Sequence, residues 1–182
     1  VVDPNEFVDE FGAYVLSTYV FFMGDYEKAA PWSKDAVKGC KRFIDRTFNL
    51  CDILVDGDEY SKELESSFHK TIKKVSDDIE TLKYNTAIAA MMTLLNDIYA
   101  KGSITKAEFK TFITLLNPFA PHVTEEMWQI AGFEGMLNET SWPEYSEDKC
   151  KDATIEIVVQ VNGKLKTKLQ VSAESSQEEV LS

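Results

Sequence analysis

The sequence predicts a mainly α-helical protein with a β-hairpin near its C-terminal end. Apolar residues recur every three or four positions up to about residue 132, and they alternate with polar residues from 154 to 171. The first period is typical of amphipathic helices and the second of half-buried strands. The chain has 182 residues, 44% hydrophobic and 27% charged, which indicates one or two folded domains rather than a disordered segment.

Two short helices are predicted first. Asp3 is placed to cap a helix that begins at Pro4 and ends near Phe11. An apolar run over residues 15–23 predicts the second helix, and we expect a loop over residues 24–31.

Five amphipathic helices follow and predict a bundle. They cover residues 33–55, 59–82, 85–101, 105–116 and 121–131. Ser33 can cap the first, and Thr105 with Glu108 forms a capping box before the fourth. The expected inward residues are Val37, Cys40, Ile44, Phe48, Cys51 and Val55, then Leu64, Phe68, Ile72, Val75, Ile79 and Leu82, then Ile88, Met91, Leu95 and Ile98, then Phe109, Phe112, Ile113 and Leu116, and finally Val123, Met127 and Trp128.

The hairpin needs an irregular register. A two-residue turn at the Asn-Gly dipeptide would place Val161 opposite Lys164, which puts lysines on the valine face. A bulged or longer turn would pair Val161 with Leu165 and Ile157 with Leu169, and this keeps one face apolar. We therefore predict the irregular connection.

Composition excludes several classes of function. The longest apolar runs are only a few residues long, whereas a membrane helix needs about 20, and no secretory signal is recognisable. The three cysteines form no paired framework, which favours a reducing, cytoplasmic location. The net charge of −12 argues against a general nucleic-acid binder.

No catalytic, metal-binding or cofactor-binding pattern is recognisable. The two histidines, His69 and His122, have no cysteines at metal-ligand spacing. The Rossmann, P-loop, zinc-protease and nucleophile-elbow patterns are missing from the sequence. We interpret His69 as a packing or surface residue, and we predict no catalytic residue, no metal site and no cofactor in this chain.

A local basic surface stands out against the acidic background. Residues 34–46 carry five basic and two acidic side chains, a local charge of +3, and Lys38, Arg42 and Arg46 are spaced by four. Lys164 begins a second basic row in the hairpin. By itself such a face is more often a solubilising surface than a phosphate-binding one.

Six segments resemble class I aminoacyl-tRNA synthetases. Residues 115–128, LLNPFAPHVTEEMW, are similar to the PFxPHxxEExW segment of the enzymes for leucine, isoleucine, valine and methionine. The others narrow the resemblance to leucyl-tRNA synthetases of the bacterial type. Residues 1–4 read VVDP and residues 159–164 read VQVNGK, as in that family. Residues 12–24 are similar to the family pattern GADxLRLYxMFMG, residues 27–46 to ExxxxW followed by VxGxxRFxxR, and the segment beginning at residue 84 to FNTAIAALM. Together they span essentially the whole chain.

This resemblance implies three regions and a role in holding tRNA. The end of a stem-contact region would occupy residues 1–31, the helical tRNA-binding (anticodon-binding) bundle 32–147, and a linker with the start of a small α/β domain 148–182. The full enzymes attach leucine to tRNA(Leu) with ATP and Mg, using catalytic and editing domains elsewhere in the same chain. We expect this piece to begin just after the KMSKS loop and to be inert alone.

The resemblance also suggests which residues contact tRNA. Leucyl enzymes of this type do not read the anticodon, so the bundle would make phosphate and sugar contacts. Arg42 and Arg46 match the basic positions of the RFxxR pattern and are the expected contacts, with Lys38, Lys41 and Lys164 as weaker candidates.

The chain departs from the family pattern at one place. Tyr14 and Ser17 stand where GADxLR has Asp and Arg, which puts in doubt any charge pairing of this helix with the catalytic side.

Two alternatives remain open at this point. The first is the corresponding region of a valyl-, isoleucyl- or methionyl-tRNA synthetase, which the hairpin and the tryptophan element disfavour. The second is a helical protein-interaction module without RNA binding, which the acidic balance favours and the basic surface opposes.

Overall fold

The structure, a computed structural model, describes residues 3–24 and 32–151 and the backbone of residues 154–161 and 164–172. Within these residues the chain is mainly α-helical, as predicted. The helices are α1 Pro4–Phe11, α2 Ala13–Phe22, α3 Lys34–Phe48, α4 Glu65–Glu80, α5 Tyr84–Lys101, α6 Lys106–Leu116 and α7 Pro121–Ile130, with 3₁₀ turns at Asn49–Ile53 and Leu137–Glu139. The strands are β1 Leu54–Val55, β2 Ile104–Thr105, β3 Thr154–Val161 and β4 Lys164–Ser172. Most of the loop predicted at 24–31 lies outside the described residues.

The predicted starts of three helices, α1, α3 and α6, are confirmed. The Asp3 carboxylate accepts the Asn5 N–H at 2.9 Å before α1, and the Ser33 hydroxyl accepts the Ala36 N–H at 3.3 Å before α3. The capping box of α6 is complete in both directions. Each cap binds N–H groups that have no acceptor inside the helix itself.

Two apolar clusters hold the helices together. The larger lies between α3, α4, α5, α6 and α7, and its fully buried members include Leu50, Phe68, Ile72, Ile88, Met91, Ile98, Phe109 and Phe112. The smaller joins α1 and α2 to the start of α3 through Phe7, Val15, Tyr19, Val37 and Cys40. Trp32 packs edge-to-face on Phe7 and Tyr19, with ring centroids 4.6 and 4.8 Å away.

The predicted end of the third helix is wrong. It was expected to reach Val55, but α3 ends at Phe48 and a 3₁₀ turn follows. Side chains repeat every three residues in a 3₁₀ turn, so the predicted apolar stripe does not continue there. Leu50 is fully buried instead, whereas Phe48 is 39% exposed and Val55 44%. Val55 lies in β1, which pairs in parallel with β2, a bridge that the sequence did not predict.

The predicted ends of the fourth helix are also wrong. It begins at Glu65 rather than at residue 59, because the preceding loop binds α6: the Ser61 N–H donates to the Glu108 carboxylate at 2.8 Å. Leu82, expected in the core, is 63% exposed with a φ of 58°. This left-handed conformation ends the helix and turns the side chain out of the apolar stripe.

The hairpin confirms one predicted pairing and contradicts the other. Ile157 pairs with Leu169 as expected, but Val161 pairs with Lys164 and not with Leu165. The register shift lies inside the strands rather than at the turn. A bulge therefore restores the apolar register on its own and a longer turn is not needed. The Asn-Gly residues between the strands lie outside the described part.

Candidate nucleic-acid interface

Helix α3 places the predicted basic residues along its solvent side. Its apolar residues face the two clusters, and this leaves the opposite face to Lys38, Lys41 and the arginines. Two of these charges have acidic neighbours on the same helix. The Lys38 ammonium lies 3.9 Å from Asp35 and the Lys41 ammonium 2.7 Å from Asp45. Such exposed pairs exchange partners easily, because each contributes little free energy in water.

Arg42 is the most available of the predicted cations. It is exposed, and within residues 3–24 and 32–151 it has no hydrogen-bond or ion-pair partner. Its guanidinium is thus free to bind a phosphate with two parallel N–H donors.

Arg46, one turn further, is held in place by the neighbouring helix. Its Nη1 donates to Asn96 Oδ1 at 2.8 Å, and its guanidinium lies 4.7 Å from the centroid of the Tyr99 ring. The Tyr99 hydroxyl donates to the Arg46 carbonyl at 2.7 Å. Burial raises the pKa of Tyr99 above its ordinary 10, so the hydroxyl is a proton donor at neutral pH and well beyond it. Both partners are uncharged, so they fix the orientation of Arg46 without neutralising its positive charge.

Sequence reasoning missed Asn96 and Tyr99 as part of this surface. They lie beside the inward residues of α5, where a polar and an aromatic side chain carry no distinctive signal. Only the packing of α5 against α3 brings them, about 50 positions along the chain, to Arg46.

A small cleft of about 170 Å³ lies between α3 and α5 beside the two arginines. It is lined by Gly39, Arg42, Phe43, Arg46, Met92, Leu95 and Asn96. A Cβ built on Gly39 meets no atom within 4 Å. The cleft has two cationic groups and no carboxylate in its lining, so it is suited to an anion.

A larger cleft of about 470 Å³ has the opposite character. Its lining is Asp58, Glu59, Tyr60, Glu65, His69, Ala107, Lys110, Thr111 and Lys149. Three carboxylates stand there beside two lysines, and one of those lysines is already paired with Glu65 at 2.7 Å. This cleft is therefore a poor phosphate site.

Helix α4 also carries lysines, but the segment 140–151, which we call the strap, lies along one side of this helix. The strap runs antiparallel to α4: Trp142 Nε1 donates to Ser76 Oγ at 2.8 Å, the Lys73 ammonium is 2.5 Å from Glu147, and the Cys150 carbonyl accepts from Ser66 at 3.2 Å. Pairing with Glu147 raises the pKa of Lys73, and pairing with Glu65 raises the pKa of Lys149.

His69 anchors the middle of the strap. It is 7% exposed, and its Nδ1 accepts the Ser146 N–H at 3.2 Å. Its Nε2 is buried and has no hydrogen-bond partner among the described residues. Burial lowers the pKa of His69, Lys149 lowers it further, and Glu65 opposes both. This is a packing arrangement of the kind expected from the sequence.

Lys164, the last predicted contact, and Tyr14 and Ser17, which differ from the family pattern, lie away from the α3 cleft or outside the described side chains. The backbone of Lys164 begins β4, and its side chain lies outside the described part of the chain. The Tyr14 ring packs against His122 of α7, with centroids 5.3 Å apart, and Ser17 Oγ donates to the Tyr14 carbonyl at 3.2 Å. These two residues thus make local and interhelical contacts that require no charge.

The described residues lack two further kinds of feature, a metal-ligand cluster and a membrane-spanning helix. No group of three His, Cys, Asp or Glu side chains in this part of the chain is placed to hold a metal ion. No helix there combines the length and the apolar character that crossing a membrane requires.

Comparison with known proteins connects these features to one family. Residues 61–181 match the family described as the anticodon-binding domain of tRNA ligase. The leucine--tRNA ligase of Alkaliphilus oremlandii is 52% identical over 180 residues, which are 99% of this chain and 22% of the relative. That of Bdellovibrio bacteriovorus is 37% identical over 186 residues, 100% of this chain and 23% of the relative.

A solved structure shows the same fold. The LeuRS in a ternary LeuRS–tRNA–LeuAMS complex from Agrobacterium radiobacter matches with a TM-score of 0.75 and 27% identity. The match covers 100% of this chain and 26% of that one. The chain therefore spans about a quarter of the length of the proteins it resembles.

Proposed function

We propose a function from the premise that this chain belongs to the family of anticodon-binding domains of tRNA ligases, in the form found in leucine--tRNA ligases. Its function is to hold tRNA(Leu) through phosphate and sugar contacts on the outer face of α3. The observation that carries this proposal is Arg42, an exposed guanidinium without a partner in the described residues, beside the oriented Arg46.

Charge supports this location. The chain carries −12 overall, yet residues 34–46 carry +3, so an RNA backbone is repelled by most of the surface and attracted here. Electrostatic contacts of this kind position a nucleic acid without reading its bases. The relatives are leucine ligases, so nothing favours the valyl, isoleucyl or methionyl alternatives.

The proposal extends to the protein in which such a domain works. There the domain orients tRNA(Leu) for catalytic and editing domains of the same chain, which attach leucine with ATP and Mg. Residues 1–31 belong to the stem-contact region, 32–147 to the bundle and 148–182 to the linker and the small α/β domain. A cytoplasmic location follows from this role in protein synthesis.

Binding of tRNA(Leu) by the 182-residue chain tests the proposal. Fluorescence anisotropy at 50 and 200 mM salt should give a Kd that rises steeply with salt, because phosphate contacts release counterions. Arg42→Glu with Arg46→Glu should weaken binding by at least about tenfold and lower the salt slope by about two.

Lys73→Glu is the control for each single arginine change, since it makes the same charge change of one substitution on α4, where the lysine pairs with Glu147 of the strap. It should change Kd much less than Arg42→Glu alone or Arg46→Glu alone. Salt-independent or undetectable binding of the wild-type chain, together with no effect of the double change, would refute the RNA role and favour a protein-interaction module.

A further inference from the structure

Gly39 is an unexplained glycine in the interior of α3. Glycine is among the least favourable helix residues, because it loses the most backbone freedom on folding. The usual structural reasons for it are absent here. Gly39 is not among the described residues with a positive φ, and a Cβ at this position would meet no atom within 4 Å. Neither backbone conformation nor helix packing therefore requires a glycine.

The surroundings of Gly39 suggest what does require it. Gly39, Arg42 and Arg46 are spaced by three and four, which places them on one side of α3. All three line the 170 Å³ cleft, and Asn96 on the facing helix holds Arg46. The missing side chain leaves the helix backbone accessible beside Arg42 and Arg46, about one and two turns before them.

We propose that Gly39 is a close-approach position at which the sugar–phosphate backbone of the RNA lies directly against α3. This rests on the proposed function and adds a contact to it. Arg42 and Arg46 bind the phosphate, and the missing Cβ makes room for the adjoining ribose. Glycines serve this purpose wherever a protein backbone must approach a ligand closely.

Arg46 is prepared for this contact before the RNA arrives. Its N–H bond to Asn96 and its position over the Tyr99 ring restrict its rotamers, so less conformational entropy is lost on binding. Asn96 and Tyr99 act here as positioning residues, since they reach the RNA only through Arg46.

Gly39→Ala separates this contact from folding. Alanine is the best helix former and has open space at this position, so the melting temperature should stay the same or rise. The added methyl group occupies the cleft, so Kd for tRNA(Leu) should increase about tenfold, the effect of overfilling a close contact. Gly39→Ser adds one further atom and should weaken binding by at least as much.

Coupling to Arg42 provides the second measurement. If Gly39 accommodates the ribose joined to the phosphate that Arg42 binds, the losses caused by Gly39→Ala and Arg42→Gln are not additive in the double variant. Wild-type-like Kd values for Gly39→Ala and Gly39→Ser, in folded proteins, would overturn the close approach while leaving the proposed function intact. Fully additive losses would overturn the shared phosphate. Failure of the proposed function is distinguishable, because then the wild-type chain itself does not bind.

Discussion

Helices α3 and α4 both present basic side chains, but the arginines of α3 are free of acidic partners in the described residues whereas Lys73 and Lys74 of α4 are paired. Arg42 has no partner within the described residues, and Arg46 is held by a neutral amide and a ring. On α4 the Lys73 and Lys74 ammonium groups lie 2.5 Å from Glu147 and 2.6 Å from Asp78. The number of lysines and arginines on a helix therefore does not determine its positive potential.

The strap is one source of the difference, and the other is Asp78 of α4 itself, which pairs with Lys74. Glu147 and Lys149 lie more than 70 positions along the chain from the α4 residues with which they pair. The strap gives Lys73 an acidic partner, and in residues 32–151 no equivalent segment lines the α3 cleft. Among the described residues, the α3 cleft therefore offers an anion two arginines and no carboxylate, although the chain carries −12 overall.

The largest expected effect compares a buried ion pair on α6 with an exposed one on α4, to test which of them stabilises the fold. Glu108, fully buried, is the contrasting carboxylate: it accepts N–H bonds from Ser61 at 2.8 Å and Thr105 at 2.9 Å and lies 3.4 Å from Lys101. Glu108→Gln should lower the free energy of unfolding by about 3 kcal/mol, because buried donors lose a charged acceptor. Glu147→Gln, on the exposed α4 face, should leave the urea midpoint unchanged.

Acid titration of the same two proteins sharpens the contrast. Burial raises the pKa of Glu108, but the bonds from Ser61 and Thr105 and the charge of Lys101 outweigh it, and the pKa falls below its ordinary 4.5. The stabilisation is therefore complete above that pH and is lost as the pH falls through the lower pKa of the folded state. Glu108→Gln should remove this acid dependence. Equal losses in both variants would contradict the division between buried and exposed carboxylates.

The next effect is the release of two paired lysines, Lys73 on α4 and Lys149 in the strap. Glu65→Gln with Glu147→Gln frees Lys149 and Lys73 and should strengthen heparin binding by about fivefold at low salt, since two cations become available. Glu126→Gln with Glu144→Gln removes the same charge from residues that have no ion pair within the described part. This control should strengthen binding less. An equal gain would show that total charge, and not pairing, determines the available surface.

The same contrast separates what the sequence could predict from what it could not. Asp3, Ser33 and Thr105 cap their helices through bonds to groups two or three residues away, so short patterns were sufficient. The position of the arginines on α3 followed from spacing for the same reason. The start of α4 failed because it depends on Ser61 binding Glu108, 47 positions away.

The site shows this limit most clearly. Spacing placed Arg42 and Arg46 on one face, but it could not distinguish a free guanidinium from one held by Asn96, 50 positions further along. Nor could it show that Lys73 pairs with Glu147. Tertiary packing determines which groups pair with a charged side chain, and the apolar periodicity of one helix does not predict that packing. The sequence shows Gly39 in the VxGxxRF pattern, but only the structure shows that a side chain there would have open space, so that packing does not explain the glycine.

The smallest effect is a pH dependence of the strap itself. The pKa of His69 lies below its ordinary 6.5, chiefly through burial, so the neutral ring that accepts the Ser146 N–H is stabilised in the folded state. Its contribution is present above that ordinary value and is lost as the pH falls through the lower pKa of the folded state. Protonation of Nδ1 removes one hydrogen bond, worth about 1 kcal/mol or roughly fivefold in local opening. Exchange of the Ser146 amide, normalised to its intrinsic rate, should accelerate by that factor in acid.

His69→Asn separates protonation of the side chain from the hydrogen bond that it accepts from Ser146. The asparagine Oδ1 lies close to the position of Nδ1 and can accept the same N–H, but it does not ionise between pH 5 and 8. Protection of the Ser146 amide should then be independent of pH, and heparin binding to the α4 face should lose any rise in acid beyond that of bulk charge. If the amide of the asparagine variant still loses protection as the pH falls, the strap is released by its surface ion pairs instead. In that case Glu65 and Glu147, rather than His69, determine when α4 becomes as available as α3.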